Sequence, residues 1–316
     1  MAVFKGSFDA RAEEAICQDE RHRYLADLVR RSLVIYDNAT GRYRLHDLVR
    51  LLARKYLNES NEDTDVNRRY SSYYEAVLRE ANLLYMEGGR GIKKGLSIFD
   101  AEWTNISAGQ SWAEQQAERD ETAAELCNTY PTAGVYLLEV RLSPQERIRW
   151  REAARAASQS LKIKVDEAKH TGYLGEAYRA IGETTLALDL HEQHLRIAQE
   201  TGDAESEGIA WGGLGNTFDT LGKPRRALEC FKHALAIARR IGKRRVEANM
   251  LGNIGVTHLR LGEYEQAIRC HKKHLAIARE EGDVRGEAFA MGNLGLVYEK
   301  LNDPERLIEL NEKALS

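Results

Sequence analysis

From residue 167 onward, apolar positions return at helical spacing in two runs of about a dozen residues, and the whole pattern recurs 40 residues later. Leu174, Leu214, Ile254 and Leu294 fall in one column, and Gly175, Gly215, Gly255 and Gly295 in the next. Leu195, Leu235, Leu275 and Leu315 fall in a third. Each unit therefore predicts two helices joined by a short turn, read as LGKP at 221–224, LGEY at 261–264 and LNDP at 301–304. Glycine inside the first helix costs about 1 kcal/mol, which close approach of the paired helices offsets. One hairpin cannot bury its own apolar face, so the units must stack into a solenoid. Full units span 167–206, 207–246 and 247–286, with a partial unit at 287–316 and a degenerate one at 143–166.

The pattern changes toward the N-terminus. Segment 20–33 is amphipathic, two short β-prone runs flank Asn-Ala-Thr-Gly at 38–41, and DLVRLLARKYL returns to helical spacing. Helix, helix, hairpin and helix over 1–60 predict a small winged-helix domain. Residues 61–142 carry three longer amphipathic stretches, at 68–89, 99–118 and 121–142, and read as a helical linker domain. PQERIRWREAARAASQSL at 144–161 reads as the second helix of the degenerate repeat. The predicted fold class is all-α, a solenoid of antiparallel helical hairpins preceded by the winged helix with its short β-hairpin.

Charge narrows the function classes. Lys+Arg 46 against Asp+Glu 49 leaves a net of −3, so the whole chain exerts no strong pull on nucleic acid or anionic lipid. Residues 1–60 hold eleven basic against nine acidic side chains, a net of +2, which is weak support for DNA binding by a wing. The four cysteines form no CxxC pair, no apolar run nears the roughly 18 residues needed to span a bilayer, and the start lacks a signal peptide. These features predict a cytoplasmic chain whose partners are neither membrane nor nucleic acid. The opening MAVFKGSFDA reads as if it begins inside a domain.

Trp211, Leu214, Gly215, Phe218, Ala227, Phe231 and Ala234 form a pattern that resembles the tetratricopeptide repeat. The 40-residue unit, with LGNIG at 251–255 and MGNLG at 291–295, is similar to the longer repeats of kinesin light chains and Pins-type adaptors. At the other end, AVFKGSFD at 2–9 and RYRLHDLVRLLAR at 42–54 look like the winged helix of bacterial NB-ARC-type STAND NTPases, which are signal-dependent switch ATPases. Leu45-His46-Asp47 resembles their MHD motif, with Leu in place of Met. By that resemblance His46 would contact an ADP phosphate in a full-length parent, and Asp47 would support the motif. No G-x4-G-K-[ST] occurs, so the chain resembles a C-terminal fragment needing an upstream nucleotide-binding domain. The fragment itself predicts no cofactor; ADP or ATP belongs to the parent. A histidine that merely caps or packs a helix start is the plainer reading of His46.

Candidate chemistry is sparse. His191 and His194, and likewise Cys270, His271 and His274, bring potential metal ligands onto one helix. His191, Phe231 and His271 nevertheless share one repeat column, and His194, Ala234 and His274 another, which points to packing rather than metal. No G-x-S-x-G or H-E-x-x-H occurs, so no catalytic residues are assigned and no enzyme is expected. The concave face of the solenoid is the better candidate. The tetratricopeptide resemblance implies that the first helix of each unit lines an inner groove. Asn216, Asp219, Asn253, Val256, Arg260, Asn293, Leu296 and Glu299 then face a bound peptide. Asn253 and Asn293 match the asparagine that clamps a peptide backbone in this repeat class, since an amide offers both donor and acceptor. The alternative is that these asparagines bridge neighbouring helices. The function implied is a protein-binding sensor module of a STAND regulator. A DNA-binding transcriptional regulator with a repeat effector domain, or a free-standing adaptor scaffold, would be the alternatives.

Overall fold

A computed structural model describes residues 1–59 and 62–315, which form sixteen helices and one two-stranded sheet. They divide into two compact units, Met1–Ile163 and Lys164–Ser316. Among the described residues no helix is long and apolar enough to cross a membrane.

The first unit opens with α1 (Ala10–Cys17) and α2 (Arg23–Arg30), then β1 (Val34–Asp37), β2 (Arg42–Leu45) and α3 (Asp47–Glu59). Asp9 caps α1 by accepting from Ala12 N at 2.8 Å, and Asp19 accepts from the first amides of α2. The strands pair antiparallel, Val34 opposite Leu45 and Asp37 opposite Arg42. Gly41 takes φ 69° at the turn, where a side chain would be strained. An isolated bridge from Phe8 to Tyr43 adds the N-terminal segment to the hairpin's edge. This is the helix, helix, hairpin, helix order read from the sequence.

Five helices follow: α4 (Asp63–Met86), α5 (Arg90–Gln116), α6 (Glu121–Ala133), α7 (Val135–Arg141) and α8 (Pro144–Ser160). The amphipathic stretch 121–142 forms two helices, α6 and α7, separated at Gly134, three residues past Pro131. Ser143 and Glu146 start α8 with a reciprocal capping box. One core runs through the whole unit, joining Phe4, Phe8 and Leu45 to Tyr70, Ile106, Tyr130 and Trp150. Phe4 stacks on Phe8 at 3.9 Å and meets Tyr70 edge-on at 5.8 Å. Helix α8, whose pattern resembled a degenerate repeat, falls in this unit and packs mainly on α6.

The second unit is four helical hairpins in succession: α9 (Lys164–Ala180) with α10 (Thr184–Thr201), and α11 (Ala204–Thr220) with α12 (Pro224–Arg240). Then come α13 (Arg244–Arg260) with α14 (Tyr264–Glu280), and α15 (Val284–Lys300) with α16 (Pro304–Leu315). Helix starts fall every 20 residues, so the observed units begin three residues before the boundaries read from the apolar pattern. Pro224 sits at the first turn of α12, where its missing N–H costs nothing. Between units, Gly202, Gly242 and Gly282 adopt left-handed φ of 66–70°, and the residue after each donates back into the helix, as Asp203 N does to Ala198 O at 3.0 Å. Ala187, Ala227 and Ala267 are fully buried in one column, allowing close helix approach. Phe231, Leu235, Leu251, Ile254 and Ile277 form a continuous apolar cluster across two units.

Candidate functional site

The first helices of the four hairpins expose one repeated stripe. In α13 it consists of Asn249, Asn253, Val256 and Arg260, spaced i, i+4, i+7, i+11, which places them on one helix face. The same columns give Tyr173 and Glu176 in α9, Ile209, Gly213 and Asn216 in α11, and Phe289, Asn293 and Leu296 in α15. Intervening positions such as Leu214, Ile254 and Leu294 are buried. All eight predicted contacts keep at least partial exposure: Asn216, Asn253, Val256, Arg260, Asn293 and Leu296 lie in these columns, and Asp219 and Glu299 share a column one position before that of Arg260.

Their hydrogen bonding divides them. The side-chain amides of Asn216 and Asn253 form no hydrogen bond among the described residues, whereas Asn293 Nδ2 donates to its own helix at Phe289 O, 2.9 Å away. Asp219 and Arg260 form an ion pair between neighbouring first helices, so neither is an open charge. Glu176 pairs with Arg179 at 2.7 Å and Lys169 with Asp166 at 3.3 Å. Asn249, exposed one turn before Asn253, likewise forms no side-chain hydrogen bond among the described residues, so the stripe presents three open amides, one amide with its donor engaged, and paired charges.

Sequence reasoning missed Tyr173, Ile209, Asn249 and Phe289. The signal was present: Ile209, Asn249 and Phe289 are one column, one helical turn before the predicted asparagines, and Tyr173 shares the Asn253 column. Tyr173, Ile209, Phe289 and Leu296 are 42%, 56%, 49% and 50% exposed, unusual for large apolar side chains at matched positions.

The histidine columns lie beneath this surface. His191, His194, His271 and His274 are each at most 2% exposed. His191 rests against Gly175 and Gly213, His194 against Gly172, His271 against Gly255, and His274 against Gly252 and Phe289. Gly213 stands in the asparagine column because the His191 ring from the preceding unit occupies the space its side chain would need. His194 Nε2 meets Ser206 Oγ at 2.8 Å, while both ring nitrogens of His191, His271 and His274 lack hydrogen-bond partners. Burial pushes the imidazoles of His191, His194 and His271 down to about 4 and lowers that of His274, so they are neutral packing groups. Glu176, 3.7 Å from His191, opposes that shift without cancelling it. Among the described residues no three His, Cys, Asp or Glu side chains group to hold a metal.

In the first unit His46 sits exposed at the start of α3, directly after β2. Its amide donates to Leu33 O, and Asp47 pairs with Arg50 at 3.0 Å. Arg50 in turn donates to Lys5 O at 3.0 Å, tying the motif to the N-terminal segment. Arg42, on the hairpin, is held by Glu102, Ser7 Oγ and Ser7 O.

Comparison with known proteins places the repeats. Residues 166–240 and 246–316 match the tetratricopeptide repeat model. No match is found among curated proteins. Solved structures with similar folds include BtubC (BKLC) from P. vanneervenii, at 21% identity and TM-score 0.57, covering 66% of this chain and 87% of that one. The apo form of RapI is 14% identical with TM-score 0.59, covering 96% and 75%. A signal transduction ATPase with numerous domains, bearing a tetratricopeptide repeat sensor, from Pyrococcus horikoshii is 15% identical with TM-score 0.41, covering 99% of this chain and 55% of that one. With a 40-residue period, paired helices and a matching family model, the second unit of this chain is an array of tetratricopeptide repeats.

Proposed function

We propose that the repeat array binds an extended segment of a partner protein along the stripe on its first helices, and that the chain is the sensor module of a STAND-type switch regulator. The single observation that carries the binding role is the openness of the Asn216 and Asn253 amides. These side-chain amides lie on adjacent first helices, α11 and α13, with no hydrogen-bond partner among the described residues. A polar side chain gains little by standing unpaired at the edge of a packed helix. It gains about 1 kcal/mol or more when a peptide group supplies both donor and acceptor.

The sensor role rests on the resemblance of 2–9 and 42–54 to the STAND winged helix and on the setting of His46. An exposed imidazole at a helix start, beside an Asp47 anchored through Arg50 to Lys5 O, is free to meet a phosphate supplied by a separate nucleotide-binding domain. DNA binding is the weaker reading, because Arg42 on the hairpin is already neutralised by Glu102.

Partner capture by the full chain and by its Asn216→Ala/Asn253→Ala variant tests the binding role. Loss of about tenfold in affinity is expected, the equivalent of about 1.4 kcal/mol, and equal capture would sink it. For the sensor role, His46→Ala in a chain that carries a nucleotide-binding domain is expected to raise signalling without ligand; unchanged basal output would end that assignment.

A further inference from the structure

The stripe also specifies what kind of segment fits it, an inference that rests on the binding role above. Exposed apolar side chains scattered singly over a protein need no explanation. Here the exposed Ile209 and Phe289 occupy one repeat column, and the half-buried Val256 and exposed Leu296 another, all in line with the open amides. They form a track across successive hairpins rather than a scatter.

Several charges along the track are held in internal pairs: Arg260 with Asp219, Glu176 with Arg179 and Lys169 with Asp166. A strongly acidic or basic ligand would have to break those pairs, because Arg260, Glu176 and Lys169 are already engaged by internal partners. An apolar side chain laid on Ile209, Phe289 or Leu296 removes carbon surface from water on both partners without disturbing them. Between such contacts, Asn216 and Asn253 can take the ligand's peptide groups.

Contact between successive first helices is direct, as Asp219 with Arg260 and Gly212 beside Met250 attest. Packed helices lie about 10 Å apart. Four of them give a track of about 30 Å, or about nine residues of extended chain at about 3.3 Å each. We infer that the ligand of this array is an uncharged, apolar segment, at least about nine residues long and bound in extended form.

The test is selection of a displayed library of random twelve-residue peptides on the full chain, followed by affinity measurement of the enriched sequences. Enriched peptides are expected to be near neutral and rich in aliphatic and aromatic residues. Their dissociation constants should change by less than about twofold between about 50 mM and about 500 mM salt, since screening acts only on net charge. Phe289→Ala and Leu296→Ala should each weaken them about tenfold. Peptides that depend on Asn253 but carry a charged consensus and weaken steeply with salt would overturn the neutral-ligand inference while leaving the binding role intact. Absence of any enriched peptide sensitive to Asn253→Ala would overturn both.

Discussion

His191, His194 and His271 spend their lives as neutral wedges between helices, and that has a cost that depends on pH. Each is held near 4 by burial, whereas an exposed histidine titrates near 6.5. A base whose pKa is lowered on folding binds fewer protons in the native state than in the unfolded one. Array stability is therefore fully present above about pH 6.5 and is lost as pH falls from there toward 4, by roughly 3 kcal/mol per histidine at the acid end. Denaturant titrations across that range should show the decline. Since Phe231 fills the same column in the neighbouring unit, His271→Phe should keep the fold and reduce the acid sensitivity. The facing glycines are as constrained as the rings. A Cβ at Gly175 would lie 2.7 Å from His191 Cε1, and at Gly255 2.6 Å from His271 Cε1. Gly175→Ala or Gly255→Ala should each destabilise the array by about 2 kcal/mol, read as a lower denaturation midpoint.

Helix ends and buried pairs act over whole elements. Asp203 accepts from Ser206 N at 3.0 Å and so caps α11 at the junction of two units. Asp203→Ala should cost about 1 kcal/mol in thermal unfolding. Arg42 has the larger effect, because it ties the β-hairpin to α5 through Glu102, both side chains being mostly buried at 16% and 11% exposure. Removing one partner strands the other charge out of water, so Arg42→Met should destabilise the first unit by about 3 kcal/mol. The double change Arg42→Met/Glu102→Gln should recover part of that loss. Neither the pair nor the supporting Asn105, which accepts from Lys5 N and Gly6 N and donates to Ser7 O, could be read from spacing, for the partners lie 60 to 100 residues apart.

For the molecule as a whole, the two units predict different behaviour on dissection. Residues 164–316 contain their own stacked core and should fold alone, with helical circular dichroism and a cooperative transition. Residues 1–59 share one continuous core with α4–α8 and should not be stable without them; a cooperative unfolding transition from the 1–59 peptide would refute this. The repeat period, the helical hairpins, the turns and the buried columns were legible because a solenoid's contacts are local: each residue packs against neighbours a fixed distance away in sequence, so the apolar pattern records them. The placement of the predicted contact residues on the first helices followed from the same period, while their reading as a groove came from the tetratricopeptide resemblance. Which of them stand open did not. That Asn253 is unpartnered, that Asn293 turns to its own helix, that Arg260 is spent on Asp219 and that His191 displaces a side chain at Gly213 depends on how neighbouring hairpins meet. Periodicity in a chain determines which faces must be buried, whereas the pairing of polar groups at those faces is decided only when helices from separate units come within hydrogen-bonding distance.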